Sequence, residues 1–341
     1  MTKNDYKELD EYLNLLGLAF QKYDDFFVEN IIKIHDDNEE FLIHYYGYEF
    51  EQTICENNLT FDEVFNLARE IIENINPKYV PIFDNLLDTG ELDFNYSGEL
   101  EDSFCNEVNN VHYSVDINRR FNYTDICSLI HEFFHYIKKT QNLTVVGNVL
   151  KEFFSIYFEN FSIDYLVKKG IPISEIDYTS RLKLTFARTD NFECIGLPLV
   201  CFFTFGSTNN ESYIMLKKYL FEVTKKDYQH QCNSLLDYFR RKRRKIESEF
   251  GQYNSQQLQV ECCNDFSQYY QYFYGTLLAF YARSYCQVED IIYLNDHVND
   301  SNINTVIDFL KKGHIDMNDA FLEKCIQSID QYINDYNIKQ R

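Results

Sequence analysis

Apolar positions along the chain recur mostly at helical spacing. Tyr12, Leu13, Leu15, Leu16, Leu18 and Phe20, then Phe26, Phe27, Ile31, Ile32 and Ile34, predict helices in the first part. Thr60-Phe-Asp-Glu63 has the form of a capping box and opens a predicted helix to about Ile75, with Pro77 and Pro81 punctuating the chain after it. The pattern changes over 88–120. Asp88-Thr-Gly90 and Tyr96-Ser-Gly98 are turn signals, and Val111 to Ile117 alternates at period two, so short strands are expected here. Helical spacing returns with Ile126, Leu129, Ile130, Phe133, Phe134 and Ile137, preceded by the cap-type residues Thr124 and Asp125. Lys138 and Lys139 suit the negative end of that helix's dipole. A second helix is predicted from about Gly147 to Lys169, ended by Gly170 and Pro172, and more helices come after it. The pattern shows no internal repeat.

The predicted fold is mainly α, with a small β-sheet beside the 124–137 helix. Residues 1–85 form an N-terminal helical region and 86–341 a catalytic region with C-terminal helices. The two are expected to pack as one unit, because no linker-like stretch separates them. The scarcity of glycine (11) and proline (4) agrees with few tight turns.

One helical stretch names a chemistry. His131-Glu132-Phe-Phe-His135 is an H-E-x-x-H motif. Histidines four residues apart lie about 40° apart around a helix and roughly 6 Å along it, so both imidazoles reach one metal ion. The glutamate between them is placed to take a proton from a metal-activated water. Zinc is the expected metal, and it needs a third protein ligand and an open fourth position for catalysis. Glu152, 17 residues after His135, is the candidate, because two antiparallel helices joined through Gln141 to Gly147 bring it opposite the pair. Glu159, seven residues further on, shares its helical face. It is expected to hold a ligating histidine through Nδ1, or alternatively to be the ligand itself.

The segment Asn118 to His135 resembles the surroundings of the zinc motif in the thimet oligopeptidase / oligoendopeptidase F family. Glu152-Phe-Phe-Ser155-Ile-Tyr-Phe-Glu159-Asn160 is similar to that family's E-x-x-S-x-x-x-E-N element, whose first glutamate binds zinc. Tyr269 to Gly275 is similar to its substrate-facing, tyrosine-rich segment. The resemblance covers roughly 80–290 and implies a zincin-like (gluzincin) metallopeptidase. In that reading His131, His135 and Glu152 hold Zn²⁺, Glu132 is the general base, and Tyr274 or Tyr270, with Tyr269 beside them, donates to the oxyanion. Three departures stand out. Phe134 replaces the family's glycine and is expected to crowd the side of the helix facing the sheet. The substrate-facing histidine has no counterpart, Gln268 or Asn264 standing nearby, and Thr276 takes the place of a second tyrosine. The chain is shorter than typical members, so a more open cleft is expected.

Composition narrows the partners. Hydrophobic residues make up 45%, enough for a packed core. The formal net charge of −22, from 32 Lys+Arg against 54 Asp+Glu, disfavours nucleic acid and anionic membranes. The basic run Arg240 to Lys245 is followed by Glu247 and Glu249 and reads as a solvated helix face. Ten cysteines without a C-x-x-C pair, Cys262-Cys263 included, fit reduced thiols in a cytoplasmic protein. The N-terminus shows no apolar signal core, and the run Ile195 to Phe205 is too short to span a bilayer. The other histidines, His112 in the strand region among them, show no metal spacing. The expected substrate is a peptide or unfolded segment. The rival readings are a pseudopeptidase acting as a peptide- or protein-binding module and a zinc hydrolase of non-peptide amides. An edge strand within 108–117 is expected to pair with an extended peptide.

Overall fold

The structure, a computed structural model, describes residues 1–20, 57–94, 103–109, 112–138, 145–176, 228–298, 309–316 and 320–335. The stretches Phe26 to Ile34, Tyr96 to Gly98 and Ile195 to Phe205 lie outside the described residues, as do His35 and His44. The chain divides into two compact units, Met1–Gly47 with Phe186–Phe273, and Tyr48–Thr185 with Tyr274–Arg341. The described residues are mainly helical, with a single three-stranded sheet among them.

In the first unit, helix α1 (Lys3–Phe20) buries Leu9, Tyr12, Leu13 and Leu16, an i, i+3, i+4, i+7 stripe. Against it packs the long basic helix Tyr228–Phe250, on which Phe239 stacks with Tyr12 at 5.0 Å. The basic run lies on this helix, and its charges are used internally. Arg240 pairs with Asp5 and Glu8 at 2.7 and 2.6 Å, and Lys242 pairs with Asp265 at 2.7 Å. Arg243 reaches Glu247, and Lys245 reaches Glu249. Such pairs are half-exposed and individually weak, but they leave these four cations committed.

The second unit holds the motif. Helix α2 (Phe61–Ile75) starts at the predicted capping box: the Thr60 hydroxyl accepts from the Glu63 N–H while the Glu63 carboxylate accepts from Thr60. A 3-10 turn at Pro77–Tyr79 leads into α3 (Val80–Asp88), which ends where Gly90 takes φ +68°. The strands are β1 (Leu92–Asp93), β2 (Phe104–Asn109) and β3 (His112–Asp116), in the order β1-β3-β2. β1 runs parallel to β3, with Leu92 opposite Val115. β2 runs antiparallel to it, with Phe104 opposite Asp116 and an irregularity between Glu107 and Asn109. Val115 and Ile117 are buried, and Ser114 and Asp116 less so, as the period-two pattern requires. The segment 112–116 is thus the middle strand, flanked on both sides. Among the described strands, the outer one long enough to offer an edge is β2.

Helix α4 (Thr124–Ile137) carries the H-E-x-x-H motif, and α5 (Val145–Lys168) packs along it. Phe134 stacks on Phe158 at 3.9 Å, and His131 meets Glu159 while His135 meets Glu152. Ascending residues on α4 meet descending residues on α5, so the two helices are antiparallel. Gly170, at φ +93°, ends α5 as its sequence predicts. Phe133 packs edge-on to Phe83 of α3 at 5.2 Å, which joins α4 to the helices before it. The unit is completed by the end of the helix Ser255–Tyr285 from Tyr274 onward, and by Val288–His297 and Phe321–Asp335. In chain order these helices are α7, α8 and α9, and α6 is Tyr228–Phe250.

The packing corrects the expectation for Phe134. Its ring lies in an aromatic stack, face to face with Phe158 and edge-on to Tyr79 at 5.6 Å. The bulk absent from a glycine at this place is taken up by α5 and the 77–79 turn rather than pressed on the sheet. The Tyr79 hydroxyl in turn donates to Asp296 at 2.5 Å and accepts from Asn295 at 2.8 Å. Lys138, at the end of α4, is buried and donates to the Asn295 carbonyl.

Candidate metal centre

The entry to α4 is held by a buried carboxylate. Thr124 and Asp125 are not its caps: the N-cap position is Tyr123, which makes no side-chain cap bond, and Asn122 Oδ1 accepts from the Thr124 N–H at 2.9 Å. Asp125 instead turns back and accepts from the N–H groups of Arg120 and Phe121 at 2.7 and 3.0 Å, with Arg119 Nε at 3.5 Å. Burial raises its pKa, opposed by those N–H groups and by Arg119. The loop so fastened includes Phe121 at φ +57°, a conformation costly for a bulky side chain.

About two turns into α4 the donor atoms converge. His131 Nε2 and His135 Nε2 stand 3.1 Å apart. Glu152 brings Oε2 to 3.8 Å from His131 Nε2 and Oε1 to 3.5 Å from His135 Nε2. The three residues offer ligand atoms that all lie within 4.8 Å of one another, and no second group of this kind occurs among the described residues. Donors about 2.0–2.2 Å from one tetrahedral ion lie about 3.3–3.6 Å from each other. The observed spacings lie near that value, so two imidazole nitrogens and one carboxylate could hold a metal ion here.

Glu159 does not join this set. Its Oε2 lies 2.8 Å from His131 Nδ1, the nitrogen facing away from the other donors. A carboxylate only accepts, so Nδ1 carries the proton, and in the neutral ring Nε2 then presents its lone pair to the centre. Glu159 thus meets His131 on the side of the ring away from Glu152 and His135. Glu132 is buried beside the histidines. Burial by itself disfavours the His131 imidazolium, but the Glu159 hydrogen bond and the charges of Glu132, Glu159 and Glu152 outweigh it and hold the pKa above the ordinary histidine value. Carboxylates gathered in a buried space favour a cation there.

The tyrosines are distributed unevenly. Tyr274 belongs to the same unit as the histidines and is 1% exposed; burial pushes its phenol well above the usual range, so it keeps its proton. Tyr269 is half-buried in the first unit, and the side chain of Tyr270 is outside the described ones. Asn264 and Gln268 are exposed on the part of α7 that belongs to the first unit. His297 contacts the Tyr293 carbonyl and His314 contacts Asp290, both far in sequence from the centre.

Two features were not readable from the motif. Asn122, just ahead of the N-cap position, accepts the N–H of Thr124, which only the sequence Asn-Tyr-Thr hints at. Gly275 approaches Glu152 closely, a contact between segments 123 residues apart with no local signal.

The described cysteines are all free thiols, and no described helix is long and apolar enough to cross a membrane. No protein-family model matches the chain. No curated protein matches it either. Among solved structures, one described as "PZ peptidase A with inhibitor 2" aligns at a TM-score of 0.46 and 12% identity, over 98% of this chain and 59% of that one. This chain thus spans less than two thirds of the length of that structure, and a likeness of this degree fixes no shared activity.

Proposed function

We propose that the chain is a zinc-dependent peptidase, a short relative of the thimet oligopeptidase / oligoendopeptidase F group, cleaving peptides or unfolded segments. The observation that carries the reading is the convergence of His131 Nε2, His135 Nε2 and the Glu152 carboxylate, with Glu159 fixing the tautomer of His131. Zn²⁺ bound there supplies Lewis acidity and makes water a nucleophile near neutral pH. Glu132 takes the proton from the attacking water and delivers it to the leaving amine. A tyrosine hydroxyl donates to the oxyanion, and Tyr274 is the candidate in the same unit as the histidines. A phenol held protonated by burial, as at Tyr274, suits that task. The outer strand β2 offers backbone groups to an extended substrate.

The test joins metal analysis to activity. Purified protein is expected to carry one zinc per chain, lost in His131→Ala and kept in Glu132→Gln. Wild type is expected to cleave a mixed peptide library, and Glu132→Gln to lose at least 100-fold of that rate, the scale of a missing general base, about 10²–10⁴. Zinc binding with equal, negligible cleavage by both proteins would instead favour a peptide-binding pseudopeptidase. Protein that cannot be loaded with zinc rejects the site altogether.

A further inference from the structure

Helix α7 touches α5 at one of the proposed metal ligands. A Cβ added at Gly275 would stand 2.7 Å from Glu152 Cβ, 3.0 Å from the Phe153 nitrogen and 3.1 Å from the Glu152 carbonyl carbon. Carbon atoms in good contact sit about 3.5–4.0 Å apart, so the first approach is too short to stand and the other two are tight enough that the neighbour must give by a few tenths of an ångström. Two of the three atoms are backbone, and the third is the first side-chain atom, so no rotamer change relieves them. Gly275 is not among the glycines with positive φ. Its backbone conformation is open to any residue, and a glycine inside a helix is destabilising relative to alanine. The reason for glycine at this place is therefore the contact. Its neighbours Tyr274 and Thr276 are buried, so the contact lies inside the second unit rather than at its surface.

We infer that Gly275 is a positioning residue of the metal centre: lacking a Cβ, it lets α7 seat against α5 at Glu152 and so sets where the Glu152 carboxylate stands. The inference rests on the reading of His131, His135 and Glu152 as metal ligands. The histidines are on α4, and the atoms that Gly275 approaches are all on α5 at Glu152 and Phe153. A methyl group at 275 pushes on the α5 backbone at that point and moves one ligand relative to the other two. Metal–ligand distances tolerate only about 0.2 Å, so a displacement of several tenths of an ångström at Cβ disturbs the site. Glu159 is seven residues further along α5, about 10 Å away, and its bond to His131 is less affected.

The experiment compares full-length wild type with Gly275→Ala after metal removal. Zinc affinity is measured by competition with a chromogenic chelator, and the visible spectrum of the cobalt(II) form reports coordination. Wild type is expected to bind one zinc, and Gly275→Ala to bind at least tenfold more weakly with an altered cobalt spectrum and unchanged helix content. In a Glu152→Ala background the same change is expected to alter affinity less than twofold, because the ligand through which it acts is gone. Equal affinity and spectrum in wild type and Gly275→Ala overturn the inference while leaving the metal site standing, and a further tenfold loss in the Glu152→Ala background also overturns it. A wild type that binds no zinc overturns the site reading and this inference with it. If Gly275→Ala does not fold, Glu152→Gly with Gly275→Ala must recover the helical signal, since the shortest contact is then absent, and failure to recover it overturns the contact.

Discussion

His131 has two ring nitrogens with different neighbours, and that difference decides what the residue does. Nδ1 faces Glu159 at 2.8 Å, and Nε2 faces His135 and Glu152. The Glu159 carboxylate favours a proton on Nδ1, which in the neutral ring leaves Nε2 free to serve as the proposed metal donor, and it holds the ring against rotation. Glu159→Gln keeps the size but supplies a neutral, weaker acceptor, and Glu159→Ala supplies none. Zinc affinity is therefore expected to fall about 10–100-fold in Glu159→Ala, with a smaller loss in Glu159→Gln, since partners of this kind carry about that much. Chelator competition on the two variants checks the order. Two variants as tight as wild type would show that α4 alone orients the ring. The prediction separates Glu159 from Glu152, because Glu152→Ala removes a proposed ligand and is expected to cost more than either.

At the scale of elements, α4 is positioned at both ends by buried polar groups rather than by its own propensity. At its start, Asp125 accepts two backbone N–H groups from the loop 120–121 and is 1% exposed. At its end, Lys138 reaches the Asn295 carbonyl on α8. Between them Phe133 and Phe134 take opposite neighbours, Phe83 on one side and Phe158 on the other. The Asp125 contact is the more testable. Asp125→Ala strands two N–H groups and leaves Arg119 without its carboxylate in a largely buried place, so a loss of about 2–4 kcal/mol is expected. Urea unfolding followed by circular dichroism measures it. Asp125→Asn retains one acceptor oxygen and is expected to lose less. A cost below about 0.5 kcal/mol for Asp125→Ala would mean that water reaches the loop and replaces the carboxylate.

Across the whole molecule, how much could be read in the sequence depends on the range of the interaction. The Thr60 capping box, the α4 stripe, the end of α5 at Gly170 and the two-residue alternation before Ile117 are set by neighbours a few residues away, and the folded chain has each of them. The proximity of Glu152 to the histidines was inferable because one short connection between two consecutive helices allows few arrangements. Sheet order was not inferable. β1 pairs with β3 across 22 intervening positions, and nothing in the alternation of 111–117 says which side is covered. Nor were the acids that take up Arg240, because Asp5 and Glu8 are over 230 residues away in sequence. The division into two units is likewise a long-range property, since each unit is built from two separate stretches of chain. It has a consequence for metal binding. His131, His135, Glu152, Glu159 and Gly275 all belong to the second unit. A ligand that binds only the folded form stabilises it by about 2.7 kcal/mol at a hundredfold excess over Kd, and it suppresses the openings that expose the site. Zinc added to metal-free protein is therefore expected to slow amide exchange in α4 and α5 by tenfold or more, while α1 and α6 of the first unit change by less than twofold. Hydrogen–deuterium exchange read by mass spectrometry on peptides from the four helices gives both numbers at once. Equal protection in all four would mean that the two units open together, and the compact divisions of the chain would then not be its units of stability.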